Sequence, residues 1–265
     1  MGVIGENVTV GAVREFWNAN PLCAEAVPYA PGSAEFFAFY DRLREANEPP
    51  AFSLALHEYP RFLGKKVLDV GCGNGYVLGK YALEGARVTG IDLTETAVSI
   101  SRKRFALAGL RGEFLVGNAE TLPFGDETFD CACSMGVLHH TPDTARAVGE
   151  IHRVLKRDGR LIVMFYHRNS ATYRLRMPLV RLLTGKSIRQ QVNEVDGFGN
   201  PKGDVYTRSD LLELLAPFER IEMFAGLLTG EMILPRIGGF LFPRILLRLF
   251  ERRFGWFLYA KAVKT

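Results

Sequence analysis

The run Val67–Gly75, VLDVGCGNG, constrains the fold of this chain more than any other feature. An apolar segment that ends in glycines and passes into helix-forming residues predicts a strand, a tight loop and a helix. In that context glycines let the backbone approach a ligand closely. Gly71, Gly73 and Gly75 give G-x-G-x-G, and the sixth position is Tyr76, where a dinucleotide-binding loop wants Gly or Ala. Asp69 stands two residues before the first glycine. A carboxylate there suits a cation and repels a pyrophosphate.

The pattern that follows alternates short apolar runs with helical ones, as parallel βαβ units do. Strands are expected at Lys66–Val70, Arg87–Asp92, Glu113–Val116, Phe129–Met135 and Arg160–Tyr166, the last apolar almost throughout and so buried on both faces. Helices are expected over Tyr76–Glu84, from a Thr94 cap to about Leu107, and from Thr141-Pro142 to Lys156, where Arg157-Asp158-Gly159 stops the last one. After Arg168 the periodicity breaks, with a helical piece near Tyr173–Leu183. It resumes with a Thr207-capped helix through Leu215, a strand at Phe218–Phe224 and a last strand at Trp256–Val263.

Asp92 closes the second strand, 17 residues after Gly75, where an acid can accept both hydroxyls of a ribose. Asn118-Ala119-Glu120 follows the third strand, where polar side chains can read an adenine edge. The fourth strand runs into Gly136-Val137-Leu138-His139-His140. Together GCGNG, the Asp of GID, NAE-x-LPF, FD-x5-GVLHH and E-x-x-RVLK-x-x-G closely resemble the class I S-adenosylmethionine (SAM)-dependent methyltransferases. They look most like the branch with ubiquinone and menaquinone C-methyltransferases, over about Lys66 to Tyr166.

The resemblance implies an α/β, Rossmann-like sheet of seven mostly parallel strands with an antiparallel last strand and helices on both faces. It implies SAM as cofactor, S-adenosylhomocysteine (SAH) as product and no metal. Asp69, Gly71 and Gly73 would sit at the methionine end of SAM, Asp92 at its ribose and Ala119-Glu120 at its adenine, with Cys72, Asn74, Gly75, Leu93, Asn118 and Met135 as further cofactor-binding residues. The chain departs from the family at Asn118, where Asp is usual, and at Lys156-Arg157-Asp158-Gly159 in place of Lys-Pro-Gly-Gly. The first departure bears on the adenine contact; the second is a turn variant.

Methyl transfer from a sulfonium is an in-line displacement of an already activated group, so positioning can supply most of the rate. A base is needed only where the acceptor must lose a proton. His139 and His140 lie at the carboxyl edge of the sheet, where open α/β sheets bind ligands, and His139 is nearer the strand end. Tyr166, His167 and Arg168 follow the fifth strand on the same edge. These residues are the catalytic or acceptor-wall candidates, against a simpler role as helix caps. Asp196, Tyr206, Trp17 and Tyr29 are weaker candidates, and Trp17 and Tyr29 could cover SAM or only pack.

One domain over residues 1–265 is the simplest organisation. It comprises a helical, aromatic cap (1–62), a SAM-binding core (63–166) and two insertions (167–206 and 225–254) expected to form the acceptor side. Composition is that of a globular protein, 48% hydrophobic and 23% charged. Cys131 and Cys133 alternate within an apolar run and read as small buried hydrophobes; with Cys23 and Cys72 they make no CxxC pair, which fits a reducing, cytoplasmic location. No secretory leader is expected, and no apolar run reaches the roughly 18 residues of a membrane span.

The net charge of +4 is uneven: Arg168–Asn193 carries six basic residues and no acid, and Met232 to the end carries seven against Glu251. Residues 242–254 place arginines on one side of a helix and a wide apolar arc on the other, with Arg253 inside the arc and obliged to snorkel. This pattern suits a membrane interface as well as a core or dimer contact. The acceptor expected is small and apolar or amphipathic, and nucleic acid is disfavoured as a partner. The rivals are another SAM-derived group transfer on the same fold and a SAM-binding module without catalysis. Intact Asp69 and Asp92 speak against the module.

Overall fold

A computed structural model of the chain describes residues 8–21, 27–235 and 237–265. Cys23, and part of the expected cap, lie outside them. Three helices come first: α1 (Val10–Ala19), α2 (Ala34–Asn47) and α3 (Pro50–His57). The core then alternates β1 (Lys66–Val70), α4 (Tyr76–Leu83), β2 (Arg87–Asp92), α5 (Glu95–Leu107), β3 (Glu113–Val116), β4 (Phe129–Met135), α6 (Thr144–Val154) and β5 (Leu155–His167). The first insertion holds a π-helical turn (Thr172–Arg176), α7 (Met177–Thr184), α8 (Ile188–Asn193) and a two-residue strand, β6 (Val205–Tyr206). After α9 (Arg208–Leu214) and β7 (Glu219–Gly226) come three helices of the second insertion, α10 (Gly230–Ile233), α11 (Gly238–Leu241) and α12 (Arg244–Phe254), then β8 (Phe257–Val263).

The strands form one sheet in the order β3-β2-β1-β4-β5-β8-β7, with β6 pairing β5 off this path. The pairs β1–β2, β1–β4, β2–β3 and β4–β5 are parallel, while β8 is antiparallel to both β5 and β7. Only β8 therefore runs against the others. The sheet has one strand more than the seven expected, because Val205–Tyr206 bonds to Tyr166–His167.

Alternate residues of each strand feed separate cores. Leu68, Val70, Leu161, Val163 and Phe165 pack with α6 and α9, whereas Val67, Cys131, Cys133, Ile162 and Met164 pack with α3, α4 and α5. Burial on both faces explains the unbroken apolar run of β5. Cys72, Cys131 and Cys133 are buried free thiols in these cores.

Two expectations about α6 need correction. Its cap is Asp143, whose carboxylate accepts from the Arg146 amide at 2.9 Å; the Thr141 hydroxyl is spent on the Leu138 carbonyl at 2.7 Å, within a 3-10 turn over Leu138–His140. The helix also ends at Val154, and Lys156–Gly159 opens β5 through a bulge with Asp158 left-handed at φ 59°. The Asp158 amide there donates to the carbonyl of Lys264, the residue just past β8 (2.7 Å), so bonding to that edge replaces the last helical turn. The caps at Thr94 and Thr207 form as expected, the latter with Asp210 as a reciprocal capping box.

Candidate active site

Strand order reverses between β1 and β4, and a cleft opens at the carboxyl ends of β1, β2 and β4, the place where doubly wound sheets take ligands. Its floor is Asp69–Asn74. One side is Ile91–Thr94 with Gly117–Ala119, and the other is Met135–Val137 with His140–Pro142. The loop after β1 is tight for a definite reason. Gly71 has φ +82°, and a Cβ there would lie 2.3 Å from a Val137 methyl. Gly75 is left-handed too and admits α5, since a Cβ would sit 3.1 Å from the Ser101 hydroxyl.

The loop is held from below. Asp92 accepts the Gly73 amide at 3.1 Å and the Thr94 amide and hydroxyl at 3.0 and 2.9 Å, while the Ser101 hydroxyl donates to the Gly73 carbonyl at 2.9 Å. It is held from above by α2. Arg104 on α5 donates to the Asn74 carbonyl (2.7 Å) and forms a two-pronged pair with Asp41 (2.8 and 2.7 Å), and the Tyr76 hydroxyl donates to Glu45 at 2.8 Å.

Electrostatically the cleft combines two buried acids with one arginine. Asp69 is buried beneath it, and desolvation pushes its carboxyl up to about 7. Burial also raises Asp92, against the hydrogen bonds it accepts. Arg44 of α2 lines the same cleft, pairs with Glu48 at 3.1 Å and leaves its Nε without a hydrogen-bond partner. The Asn74 side-chain amide nitrogen is likewise buried without one. Two idle donors beside a buried carboxylate match an amino acid zwitterion, the methionine end of SAM.

Asp69, Gly71, Cys72, Gly73, Asn74, Asp92, Leu93, Asn118, Ala119 and Met135 all line the cleft. Gly75 and Glu120 stand outside the lining, and the Glu120 carboxylate accepts the Asp143 amide at 2.9 Å. Of the two histidines, His140 faces the cleft. His139 is fully buried, its ring against Tyr166 at 4.1 Å, and burial holds it well below the ordinary histidine value. His167 is bound away from the cleft, with Nδ1 at 3.0 Å from the Gly255 carbonyl.

His140 is instead part of a chain of polar groups. Its Nδ1 is 2.5 Å from the Lys202 carbonyl, which can only accept, so the proton of the neutral ring sits on Nδ1 and Nε2 is the basic nitrogen. Nε2 lies 3.5 Å from Asp196, whose other oxygen accepts the Tyr166 hydroxyl at 2.5 Å. Asp196, from the first insertion, lines the cleft, and Trp17 of α1 closes over it edge-on to His140 at 5.1 Å. The second insertion contributes none of the described lining residues. Tyr206 donates to Thr144 (3.1 Å) on another face, and Tyr29 packs on Phe39. Arg44 is the residue that the sequence analysis missed. Its signal was a charged stripe, Asp41, Arg44, Glu45 and Glu48, on a helix read only for its aromatics.

Residues 68–163 match the family described as a methyltransferase domain. Over those residues the chain carries a methyltransferase domain. It is 34% identical over 119 residues to a ubiquinone biosynthesis O-methyltransferase of Pseudomonas syringae pv. tomato, covering 44% of this chain and 51% of that protein. It thus spans about half the length of the curated relatives it matches. In fold it is similar to magnesium protoporphyrin IX methyltransferase from Synechocystis with bound SAH (TM-score 0.63, 17% identity, 97% of this chain and 100% of that one). It is also similar to a 4+2 cyclase (TM-score 0.62, 20% identity, 100% and 99%). No group of three or more potential metal ligands occurs among the described residues.

Proposed function

We propose that this domain transfers a methyl group from SAM to a small apolar or amphipathic acceptor that loses a proton to His140. The observation that carries the reading is the joining of two halves in one cleft. Asp69, Asp92, Arg44 and Asn74 form a cation-tolerant, zwitterion-binding floor, and His140 with Asp196 forms a proton-accepting wall.

SAM supplies a methyl group on a sulfonium and needs no further activation. Asp69 offsets the positive charge at the methionine end, and Arg44 and Asn74 offer donors to its carboxylate. Asp92, beside the Gly73 amide, faces the ribose, and Asn118 and Ala119 border the adenine. His140 Nε2 takes the acceptor proton, and Asp196 steadies the imidazolium that results. Burial, the largest influence on His140, holds it below the ordinary value, so the ring is neutral and able to accept at neutral pH. Tyr166 positions Asp196 through its hydroxyl and does not reach the cleft itself.

The acceptor class rests on the apolar character of Val10, Val13, Trp17 and Met135 around the cleft. For partners, we infer in addition that the helix within residues 242–254 contacts a membrane face, a reading supported by its exposed apolar side chains. A screen of phenols, quinols, thiols and amines with methyl-labelled SAM tests the proposal. Label should pass to acceptors with an acidic hydroxyl or thiol. No transfer to any class, in a protein that binds SAM, would favour the non-catalytic module. Asp92→Ala should weaken SAM by about 1.5–3 kcal/mol, because charge-assisted bonds to ribose and to the Gly73 amide are lost together. Calorimetry on the folded variant checks this.

A further inference from the structure

We propose that the two insertions form a platform that docks on an anionic lipid surface. Of the 23 exposed large apolar side chains among the described residues, 12 fall in just two stretches, Leu175–Leu183 and Ile237–Phe250. Scattered exposure is ordinary, but concentration of this kind marks a contact surface. Within these two stretches the most exposed are Phe240 at 91%, Leu182 at 82%, Leu249 at 77% and Ile245 at 75%.

The two stretches belong to segments that touch. Leu247, on the opposite side of α12 from Ile245 and Leu249, is buried with Leu228 and with Ala171, which opens the first insertion's helices. Residues 172–176 also contact α10. α12 is thus anchored by one narrow side and presents its apolar arc outward.

Charge decides what covers that arc. Arg248, Arg252 and Arg253 are exposed on α12, and Arg174, Arg176 and Arg181 lie in the other segment. The single acid of α12, Glu251, turns inward to accept the Leu227 amide at 2.8 Å. Arg253 lies within the apolar arc, its guanidinium 5.4 Å from the Phe254 ring. A symmetric pair of chains would bring these like-charged arginines together with no acid of α12 left to face them, a costly juxtaposition. At a bilayer the apolar side chains enter the headgroup boundary while the arginines snorkel to phosphates. No described helix is long and apolar enough to cross a membrane, so the contact is with a surface. The inference stands independently of the methyl-transfer reading.

The test is co-sedimentation of the full chain with phosphatidylcholine vesicles, with and without phosphatidylglycerol, at low and high salt. Binding is expected to phosphatidylglycerol vesicles and to weaken with salt. Arg248→Ala and Arg252→Ala should each reduce it about fivefold, the worth of one basic residue at such a surface. The double variant Ile245→Glu/Leu249→Glu should abolish it while retaining its circular dichroism and SAH binding. If that variant does not fold, the arginine variants decide. No sedimentation with phosphatidylglycerol vesicles, or equal binding by all variants, overturns the proposal. So does a dimer in sedimentation velocity that Leu249→Glu dissociates, in a chain that ignores vesicles.

Discussion

His140→Ala is expected to lower kcat by about 10²–10⁴-fold on an acceptor that must lose a proton, with little change in SAM affinity. The expectation follows from the tautomer. The Lys202 carbonyl fixes the proton on Nδ1, so Nε2 is free to accept, and Asp196 at 3.5 Å favours the charged ring only once a proton has arrived. Because burial holds His140 below the ordinary value, kcat/KM should rise with pH through a pKa under 6.5 and then level. Asp196→Asn removes a charge that raises that pKa, so the rising limb should move to lower pH while kcat falls. A purely structural His140 would show the opposite pattern: a lower melting temperature, an unaltered pH profile and retained kcat. Stopped-time assays with labelled SAM across pH distinguish the two.

The second large effect is in cofactor binding. Asp69 carries a carboxyl pushed up to about 7 by burial, so below that pH it is mostly neutral before ligand arrives. A cation beside it stabilises the carboxylate and lowers its pKa, so binding expels a proton at acid pH. Affinity for SAM should therefore be highest above about pH 7 and fall below it, by up to about tenfold for each pH unit. Asp69→Asn should bind more weakly at high pH and lose this dependence. Calorimetry in buffers of different ionisation enthalpy would detect the released proton directly. An unchanged slope in Asp69→Asn would assign the proton to another group.

How far the sequence carried these conclusions differs between the two halves of the site. The floor was legible because glycines, Asp69 and Asp92 sit on consecutive βα units, so spacing along the chain is also spacing along the sheet edge. β1 to β4 match their expected bounds for the same reason. The wall was not legible, because its parts are brought together from far apart. Asp196 reaches His140 across more than fifty residues, and the Lys202 carbonyl that fixes the tautomer is a backbone atom with no side-chain signature.

The histidine pair shows a second limit. His139 and His140 are adjacent, so sequence position could not separate them. The 3-10 turn over Leu138–His140 turns one ring into the core beside Tyr166 and the other toward the cleft. Arg44 was missed because a helical face reads as solvated when the partner that covers it, here the glycine loop, is unknown. The start of α6 was misplaced because Thr141-Pro142 is a good local start signal, and a local hydrogen bond to the Leu138 carbonyl outcompeted it.

The central claim is that the cleft binds SAM by its charge pattern and not a dinucleotide by its glycines. Titration calorimetry of the full chain with SAM, SAH and NAD tests it most directly. The account predicts that SAM and SAH bind with dissociation constants on the order of micromolar, about −8 kcal/mol, and that NAD gives no heat. Asp92→Ala should weaken both adenosyl ligands together. Binding of NAD with no binding of SAM or SAH would contradict the account.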